Sequence, residues 1–229
     1  MTDYRRPQTP GACWLFTVNL AERRGNTRLV DHIDALRESF ARTRTRHPFR
    51  IEAIVILPDH LHCLWQLPSG DADYATRWAL IKGGFSRALP AGERISTSRR
   101  KRGERGIWQR RFWEHQIRDE RDFERHADYI HYNPVKHGHA PTAAAWPHSS
   151  FRTFVAKGIY PPDWAGPPNP LSEDVVSKAN RINRDRTMRW APRSHANDAV
   201  RLRLTASYGA YFDWWAVMRG AERRRENGL

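Results

Sequence analysis

The chain has 229 residues, with 39 Lys and Arg against 25 Asp and Glu, and a formal net charge of +14 at pH 7. Its sequence pI of about 10.6 favours a polyanionic partner, and nucleic acid is the first candidate. Its only cysteines, Cys13 and Cys63, lie within apolar runs, so neither a disulfide framework nor a cysteine zinc cluster is supported. Neither a signal-peptide pattern nor a run near the ~18 apolar residues of a membrane span is present. We therefore expect a cytoplasmic protein that contacts no membrane.

The first part of the chain predicts three strands and two helices. Residues 13–20 are rich in aromatic and β-branched side chains and follow a Pro-Gly turn, which is typical of a strand. Residues 27–46 carry apolar side chains at spacings of 4, 3 and 4, the stripe of an amphipathic helix. Residues 50–58 and 60–68 predict a hairpin, and a second helix follows over residues 69–89.

The middle of the chain predicts a basic loop, a fourth strand and a third helix. The loop covers residues 90–106 and the strand covers residues 107–117. The third helix is predicted to begin at residue 119 or 120 and to end near residue 132, because Asn133 and Pro134 follow.

The predicted order is strand, helix, strand, strand, helix, strand, helix. Its first six elements match the ferredoxin-like arrangement, an α+β fold in which an antiparallel sheet carries two helices on one face. The third helix is then an addition to this core. Beyond residue 139, short aromatic pieces with prolines are expected to wrap the core, and the polar, Arg-rich residues 166–195 read as a linker or tail.

Two histidines lie one residue apart in the third predicted strand, within the sequence PDHLHCLWQLP. Alternate residues of a strand share a face, so the imidazoles of His60 and His62 are expected to point the same way. Two imidazole nitrogens held at a fixed separation suit adjacent ligands of a divalent metal. Ordinary polar residues near a strand end form the same pattern, so the pair alone leaves both interpretations open.

The third predicted helix holds a tyrosine and an asparagine at helical spacing. Tyr129 and Asn133 are four residues apart, so they project from one face if the last turn is helical. A phenol and an amide would then converge on one small site. Alternatively, Phe123, Ala127 and Ile130 form a core stripe and Tyr129 is a rim aromatic, an interpretation that also stays open.

The two groups complement each other chemically. A phenol has a pKa of about 10, so it needs a metal or a base to act as a nucleophile at neutral pH. Its natural target in a basic protein is a phosphodiester. A metal held by His60, His62 and the side-chain oxygen of Asn133 would polarise the phosphate. Tyr129 could then attack phosphorus.

Six ordered blocks of sequence carry a family resemblance. PDHLHCLW resembles the histidine-hydrophobic-histidine motif of the HUH endonucleases, and DYIHYNPVKHG is similar to the nucleophile helix of their one-tyrosine transposases. FTVNL, IWQRRFWEHQIRD, WPHSSF and GIYPPDWAG complete a series that resembles the REP-associated tyrosine transposases of bacterial chromosomes. The resemblance covers about residues 3–166. It implies a tyrosine HUH transposase-like catalytic domain at residues 1–165 and an extension of unknown role at residues 166–229.

The resemblance implies a role for each candidate site residue. Tyr129 is the expected nucleophile, His60 and His62 are expected metal ligands, and Asn133 stands where related enzymes place a third, amide-bearing ligand. The expected ion is Mg²⁺ or Mn²⁺, since imidazole, amide and phosphate oxygens do not make a thiolate zinc cage. Tyr132 is the rival nucleophile, but its neighbour four residues on is a lysine, which cannot ligate a metal while protonated.

The resemblance also implies a substrate and a reaction. The expected protein nicks and rejoins single-stranded DNA at REP-type hairpins through a 5′-phosphotyrosine link, as a monomer or homodimer at the bacterial nucleoid. An Arg-rich segment with interleaved aromatics suits phosphate neutralisation and base stacking. The residues predicted to contact DNA are Tyr4, Arg5, Arg6, Arg99, Arg100, Lys101, Arg102, Arg110, Arg111 and Trp113.

Two rival functions are compatible with the sequence. The first is a hairpin-binding protein that has lost catalysis and acts in chromosome organisation or regulation. The second is an RNA-binding domain, because ferredoxin-like cores also occur in RNA-recognition folds. The second rival predicts exposed aromatic side chains on the face of the sheet.

Overall fold

The computed structural model of the chain describes residues 7–166, which form a four-stranded antiparallel sheet in the order β2-β3-β1-β4. This order is that of a ferredoxin-like sheet, so the predicted α+β fold class is confirmed. The strands are β1 (Cys13–Asn19), β2 (Arg50–Ile56), β3 (His60–Gln66) and β4 (Trp113–Gln116). The helices are α1 (Arg28–Asp31), α2 (Ile33–Arg46), α3 (Tyr74–Ala88), α4 (Thr97–Arg100), α5 (Glu120–Lys136) and α6 (Phe151–Ala156), with a 3-10 turn at Ala143–Ala145.

One face of the sheet packs against α2 and α3. Every second residue of β1, including Trp14 and Phe16, is buried on this side. Trp65 of β3 stacks on Trp78 of α3 with ring centroids 4.4 Å apart. The aromatics of β1 and β3 therefore lie under helices, and the exposed sheet-face aromatics that the RNA-binding rival predicts are not found on these two strands.

The opposite face of the sheet is covered by α5, α6 and the segment after α6. Leu15 of β1 and Leu64 of β3 share a buried cluster with Phe123 and Ile130 of α5. Tyr160 stacks on Trp164 beyond α6, so the short aromatic pieces do wrap the core as predicted. Helices therefore cover both faces of the sheet, and α5 is the added helix on the second face.

The fourth strand is much shorter than the predicted range of residues 107–117. Only Trp113–Gln116 pairs with β1 as a ladder, and Trp108 forms an isolated bridge with Leu20. The ammonium group of Lys82 on α3 donates to the carbonyl oxygens of Gln109 and Arg110 at 2.5 and 3.3 Å. Because these carbonyls bind a side chain, we infer that they are drawn away from the ladder between the bridge and β4.

The third predicted helix is longer than expected. The sequence predicts its end near residue 132, yet α5 continues through Asn133 and Pro134 to Lys136. Both Asn133 and Pro134 are buried, and the backbone N–H of His137 closes the last turn on the carbonyl of Asn133 at 3.0 Å. Tertiary burial thus outweighs the usual tendency of the residue before a proline to leave the helical region.

The helix begins as predicted, at an Asp119 cap whose carboxylate accepts from the backbone N–H of Asp122 at 2.8 Å. Among the helices described in residues 7–166, none is long and apolar enough to cross a membrane.

A buried carboxylate ties α5 to β4. The side chain of Asp122 is fully buried and accepts from Nε2 of His115 at 2.9 Å. The guanidinium of Arg118 donates to both carboxylate oxygens, and that of Arg125 donates to Oδ1, each at 3.1 Å. Although burial opposes ionisation, the hydrogen bonds from His115 and Arg118 hold the pKa of Asp122 well below its usual range. Asp122 therefore joins α5 to β4 in its ionised form.

We predict that Asp122→Asn lowers the free energy of unfolding by about 2–3 kcal/mol at pH 7, because Arg118 and Arg125 lose a buried carboxylate partner. The depressed pKa means that this stabilisation is complete above the ordinary carboxyl pKa of about 3.9 and fades only at lower pH. Urea denaturation of both proteins at pH 7 and below pH 3 measures the difference. Glu124→Gln, an exposed position on the same helix, is the matched control. Equal effects of the two substitutions at pH 7 would contradict this role of Asp122.

Candidate active site

His60 and His62 begin β3 and lie on the sheet face that α5 covers. Their neighbours Leu61 and Cys63 belong to the core on the opposite face, as the alternation of a strand requires. The two histidines are buried, with exposed fractions of 4% and 3%. The structure therefore confirms that both imidazoles point toward one face of the sheet.

Asp59 and Thr17 orient the two rings. Nδ1 of His60 lies 2.6 Å from Oδ1 of Asp59. Although burial opposes ionisation of Asp59, hydrogen bonds and charges from His60 and Arg23 hold its pKa well below the usual range. An ionised carboxylate can only accept, so Nδ1 of His60 carries the proton and Nε2 keeps its lone pair. Nδ1 of His62 lies 2.8 Å from Oγ1 of Thr17. Both rings thus use Nδ1 for orientation, as metal-binding histidines commonly do.

The separation of the rings fits a shared ion. Their centroids are 5.0 Å apart and their planes are nearly perpendicular, at 89°. Two imidazoles at about 2.1 Å from one ion would have ring centres roughly 4.6–5.3 Å apart for ligand angles of about 90–110°. Burial lowers the pKa of His60 and of His62, and His60 adds to the effect on His62. Both imidazoles are therefore neutral at pH 7, which is the form that ligates a metal.

Tyr129 of α5 lies beside this pair. Its hydroxyl oxygen is 3.5 Å from Nε2 of His62, and the two ring centroids are 5.1 Å apart. Burial raises the pKa of Tyr129, while Asn133 and the positive charge of Arg23 partly oppose this effect. The phenol is accordingly protonated at neutral pH. Positive charge placed next to its oxygen would favour the phenolate.

Asn133 lies one turn beyond Tyr129 and is fully buried. Its Nδ2 donates to the carbonyl of Tyr129 at 3.2 Å, whereas its Oδ1 is buried without a hydrogen-bond partner. A buried acceptor without a partner is unusual and costly. An amide oxygen is a suitable ligand for a hard divalent cation, so the donor set of this site fits Mg²⁺ or Mn²⁺.

The rival nucleophile Tyr132 faces a different environment. Its ring packs edge-on against Trp164, with centroids 6.4 Å apart, on the side of α5 that meets the aromatic segment after α6. The ring of Tyr129, by contrast, contacts that of His62.

Three further side chains at the site were not singled out from the sequence. Nε of Arg23 is 2.5 Å from Oδ2 of Asp59, and its Nη2 lies 3.2 Å from Nδ1 of His60. Nζ of Lys136 lies 5.7 Å from the ring centroid of Tyr129, and the ring centroids of His137 and His60 are 5.5 Å apart. His137 continues the four-residue spacing of Tyr129 and Asn133, so helical periodicity could have found it. Arg23 comes from a turn whose sequence carries no such signal.

A second group of side chains also has the composition of a metal site. His115, Asp122 and His126 offer ligand atoms that all lie within 4.8 Å of one another. The two imidazoles stack with centroids 4.8 Å apart, and Nδ1 of His126 lies 2.6 Å from the carbonyl oxygen of Asp122. Both oxygens of Asp122 already accept from arginines, so in this structure the group acts as a hydrogen-bonded junction between β4 and α5.

The basic segment before β4 divides into anchoring and exposed residues. Arg99 donates to the carbonyls of Arg105 and Trp108, and Arg110 pairs with Glu104 at 2.7 Å. The ring of Trp113 stacks on that of His115, with centroids 5.8 Å apart. Among the described residues predicted to contact DNA, the exposed ones are Arg100, Lys101, Arg102, Arg110 and Arg111. Tyr4, Arg5 and Arg6 lie outside the described residues.

Backbone contacts place this segment near the histidines. The N–H of Gln109 donates to the carbonyl of Asn19 at 3.0 Å, and the N–H of Ala21 donates to the carbonyl of Ile107 at 2.8 Å. Asn19 is the cross-strand partner of His60. The basic segment therefore adjoins the end of the sheet that carries the candidate site.

Comparison with known proteins identifies relatives over most of the chain. A REP-associated tyrosine transposase of Haemophilus influenzae is 48% identical over 170 residues, which are 74% of this chain and 96% of that protein. The REP-associated tyrosine transposase of Escherichia coli K12 is 44% identical over 166 residues, which are 72% of this chain and 92% of that protein. No family model matches the chain.

A solved structure agrees with these relatives. The structure of a REP-associated tyrosine transposase bound to a REP hairpin superposes with a TM-score of 0.63 at 42% identity. The match covers 75% of this chain and 96% of that protein. Sequence identity well above 30% over nearly the whole length of each relative shows that this chain belongs to the REP-associated tyrosine transposases.

Proposed function

We propose that the chain is a metal-dependent endonuclease and strand transferase that acts on single-stranded DNA at REP-type hairpins, with Tyr129 as its nucleophile. The observation that carries this proposal is the 3.5 Å approach of the Tyr129 hydroxyl to Nε2 of His62. A phenol beside two neutral, oriented imidazoles has the partners that phosphodiester attack needs.

The ion would be held by Nε2 of His60, Nε2 of His62 and Oδ1 of Asn133. Mg²⁺ or Mn²⁺ suits this set, because neutral nitrogen and amide oxygen donors leave room for phosphate oxygens and water. When bound, the ion supplies positive charge that polarises the scissile phosphate and favours the phenolate. The unpartnered amide oxygen of Asn133 supports this assignment.

Tyr129 would attack phosphorus through its phenol oxygen. A bond forms between that oxygen and phosphorus, and the bond from phosphorus to the 3′ oxygen of the preceding nucleotide breaks. The phenolic proton leaves the nucleophile, and the departing 3′ oxygen gains a proton to become a hydroxyl. The 5′-phosphotyrosine link conserves the energy of the phosphodiester, so a 3′-hydroxyl can later attack it and rejoin strands without a nucleotide cofactor.

The substrate is inferred from the family and from charge. The matched solved relative is bound to a REP hairpin. In this chain, exposed Arg100, Lys101, Arg102 and Arg111 belong to the basic segment whose residues 107 and 109 bond to the end of β1 beside the histidines. Cationic side chains in this position would neutralise phosphates on a strand that leads to Tyr129. The N-terminal Tyr4, Arg5 and Arg6 are proposed to contact bases beside the hairpin.

A catalytic role is favoured over binding alone. A pure binder has no need for two imidazoles oriented by Asp59 and Thr17 or for a buried amide oxygen without a partner. Tyr129 and both histidines meet within one chain, which supports a site completed in cis by a monomer. We propose that such a protein acts at the bacterial nucleoid, where REP hairpins would be found.

We predict that Tyr129→Phe abolishes cleavage of a REP hairpin substrate in Mg²⁺ and leaves hairpin affinity within about twofold, because only the reacting oxygen is removed. A denaturing gel with end-labelled DNA reports both the cut strand and the covalent protein–DNA adduct. Tyr132→Phe is the matched control and should cleave at the wild-type rate. Adduct formation by Tyr129→Phe, or its loss in Tyr132→Phe alone, would overturn the choice of nucleophile.

We predict that replacing Arg100, Lys101 and Arg102 together by Ala weakens hairpin binding and flattens its dependence on salt. Each phosphate contact to a single strand adds about 0.7 to the slope of log affinity against log salt, so the slope should fall by about 2. Fluorescence anisotropy across a salt series measures this slope. Arg42→Ala, an exposed arginine of α2, should leave it unchanged. An unaltered slope in the triple variant would place the DNA elsewhere.

A further inference from the structure

A second amide oxygen near the site is buried without a partner. Asn19 is the last residue of β1, and its side chain is only 2% exposed. Its Oδ1 makes no hydrogen bond within the described residues. Because a buried acceptor without a partner destabilises the fold, this oxygen calls for a ligand.

The register of the sheet places Asn19 among the site residues. Asn19 is the direct cross-strand partner of His60, and Thr17 is that of His62. Oγ1 of Thr17 reaches Nδ1 of His62, which shows that this face of β1 looks onto the histidines. Because Asn19 lies two residues beyond Thr17, its side chain is on the same face, and directly opposite residues have Cβ atoms about 4.5–5.5 Å apart.

Asn19 and Asn133 belong to the two elements that meet at the histidines. Asn19 lies on β1 of the sheet, and Asn133 lies on α5, which packs over the same face. Each residue keeps its side-chain oxygen buried without a donor. Amide oxygen is a hard donor and imidazole nitrogen a borderline one, so the two asparagines and two histidines together offer a donor set that suits a divalent cation.

We propose that Asn19 is a further oxygen donor of the ion site, so that the coordination sphere draws on His60, His62, Asn133 and Asn19. This inference rests on the proposed function, because it assumes that the histidines hold an ion. It assigns to Asn19 a role in binding the ion itself and not only in the packing of β1. The two amides would act as neutral ligands, which keeps the site open to an anionic phosphate.

The test is titration of the full-length protein with Mn²⁺ alone, in the absence of DNA, followed by electron paramagnetic resonance of the free ion. Asn19→Leu has nearly the same shape but no oxygen, and it should weaken Mn²⁺ binding at least tenfold. Asn19→Asp replaces the amide oxygen by a carboxylate oxygen, and it should bind Mn²⁺ at least as tightly as the wild type. Gln66→Leu, at the far end of β3, is the matched control and should bind normally.

Thermal unfolding with and without Mn²⁺ separates ligation from packing. The aspartate of Asn19→Asp would be buried, so this variant should melt below the wild type without the ion and gain more from Mn²⁺ than the wild type does. Equal Mn²⁺ affinity of wild type and Asn19→Leu would overturn the role of Asn19 and leave the proposed function intact. No Mn²⁺ binding by the wild type, or binding that survives His60→Ala with His62→Ala, would overturn both.

Discussion

The site depends on the packing of one helix against the second face of the sheet. A ferredoxin-like core needs helices on one face only, and α2 and α3 fill that role here. The other face carries both histidines, and α5 covers it with Tyr129 and Asn133 turned toward β3. Tyr129 and His62 are 67 residues apart in the sequence, so their side chains meet only while α5 stays packed on the sheet.

Two unlike interactions keep α5 in place. Along its middle, Phe123 and Ile130 bury apolar surface against the sheet. Near its start, Asp122 accepts hydrogen bonds from His115 of β4 and from two arginines, which ties this end of the helix to the sheet. Apolar contact alone is tolerant of small rotations, whereas a buried ionised carboxylate is not. We infer that this combination sets the position of the Tyr129 oxygen.

The site also shows how a strongly basic chain can hold two uncharged imidazoles, the proposed metal ligands. Burial lowers the pKa of His60 and of His62, and the positive charge of Arg23 lowers both further, so the two imidazoles stay neutral. The positive charge remains on the long side chains at the rim, where DNA phosphates would meet it. With neutral ligands inside the site and positively charged side chains at its rim, a metal ion and a DNA phosphate could bind side by side.

Periodicity in the sequence was enough to predict the sheet and the main helices. It also predicted that His60 and His62 share one face of a strand and that Tyr129 and Asn133 share one face of a helix. It could not give the end of α5, because tertiary burial of Pro134 overrides a local preference. It also did not predict how short β4 is, because Lys82 of α3 binds the backbone carbonyls of Gln109 and Arg110 just before that strand. The positions of Thr17 and Asn19 opposite His62 and His60 depend on strand register, which no local pattern specifies.

The most direct measurement is the crystal structure of the chain soaked in Mn²⁺, with the ion located by its anomalous scattering. We predict one strong peak within bonding distance of Nε2 of both His60 and His62, with the Asn133 amide oxygen facing it. A peak confined to His115, Asp122 and His126, or none beside the paired histidines, would contradict a metal-dependent site at Tyr129.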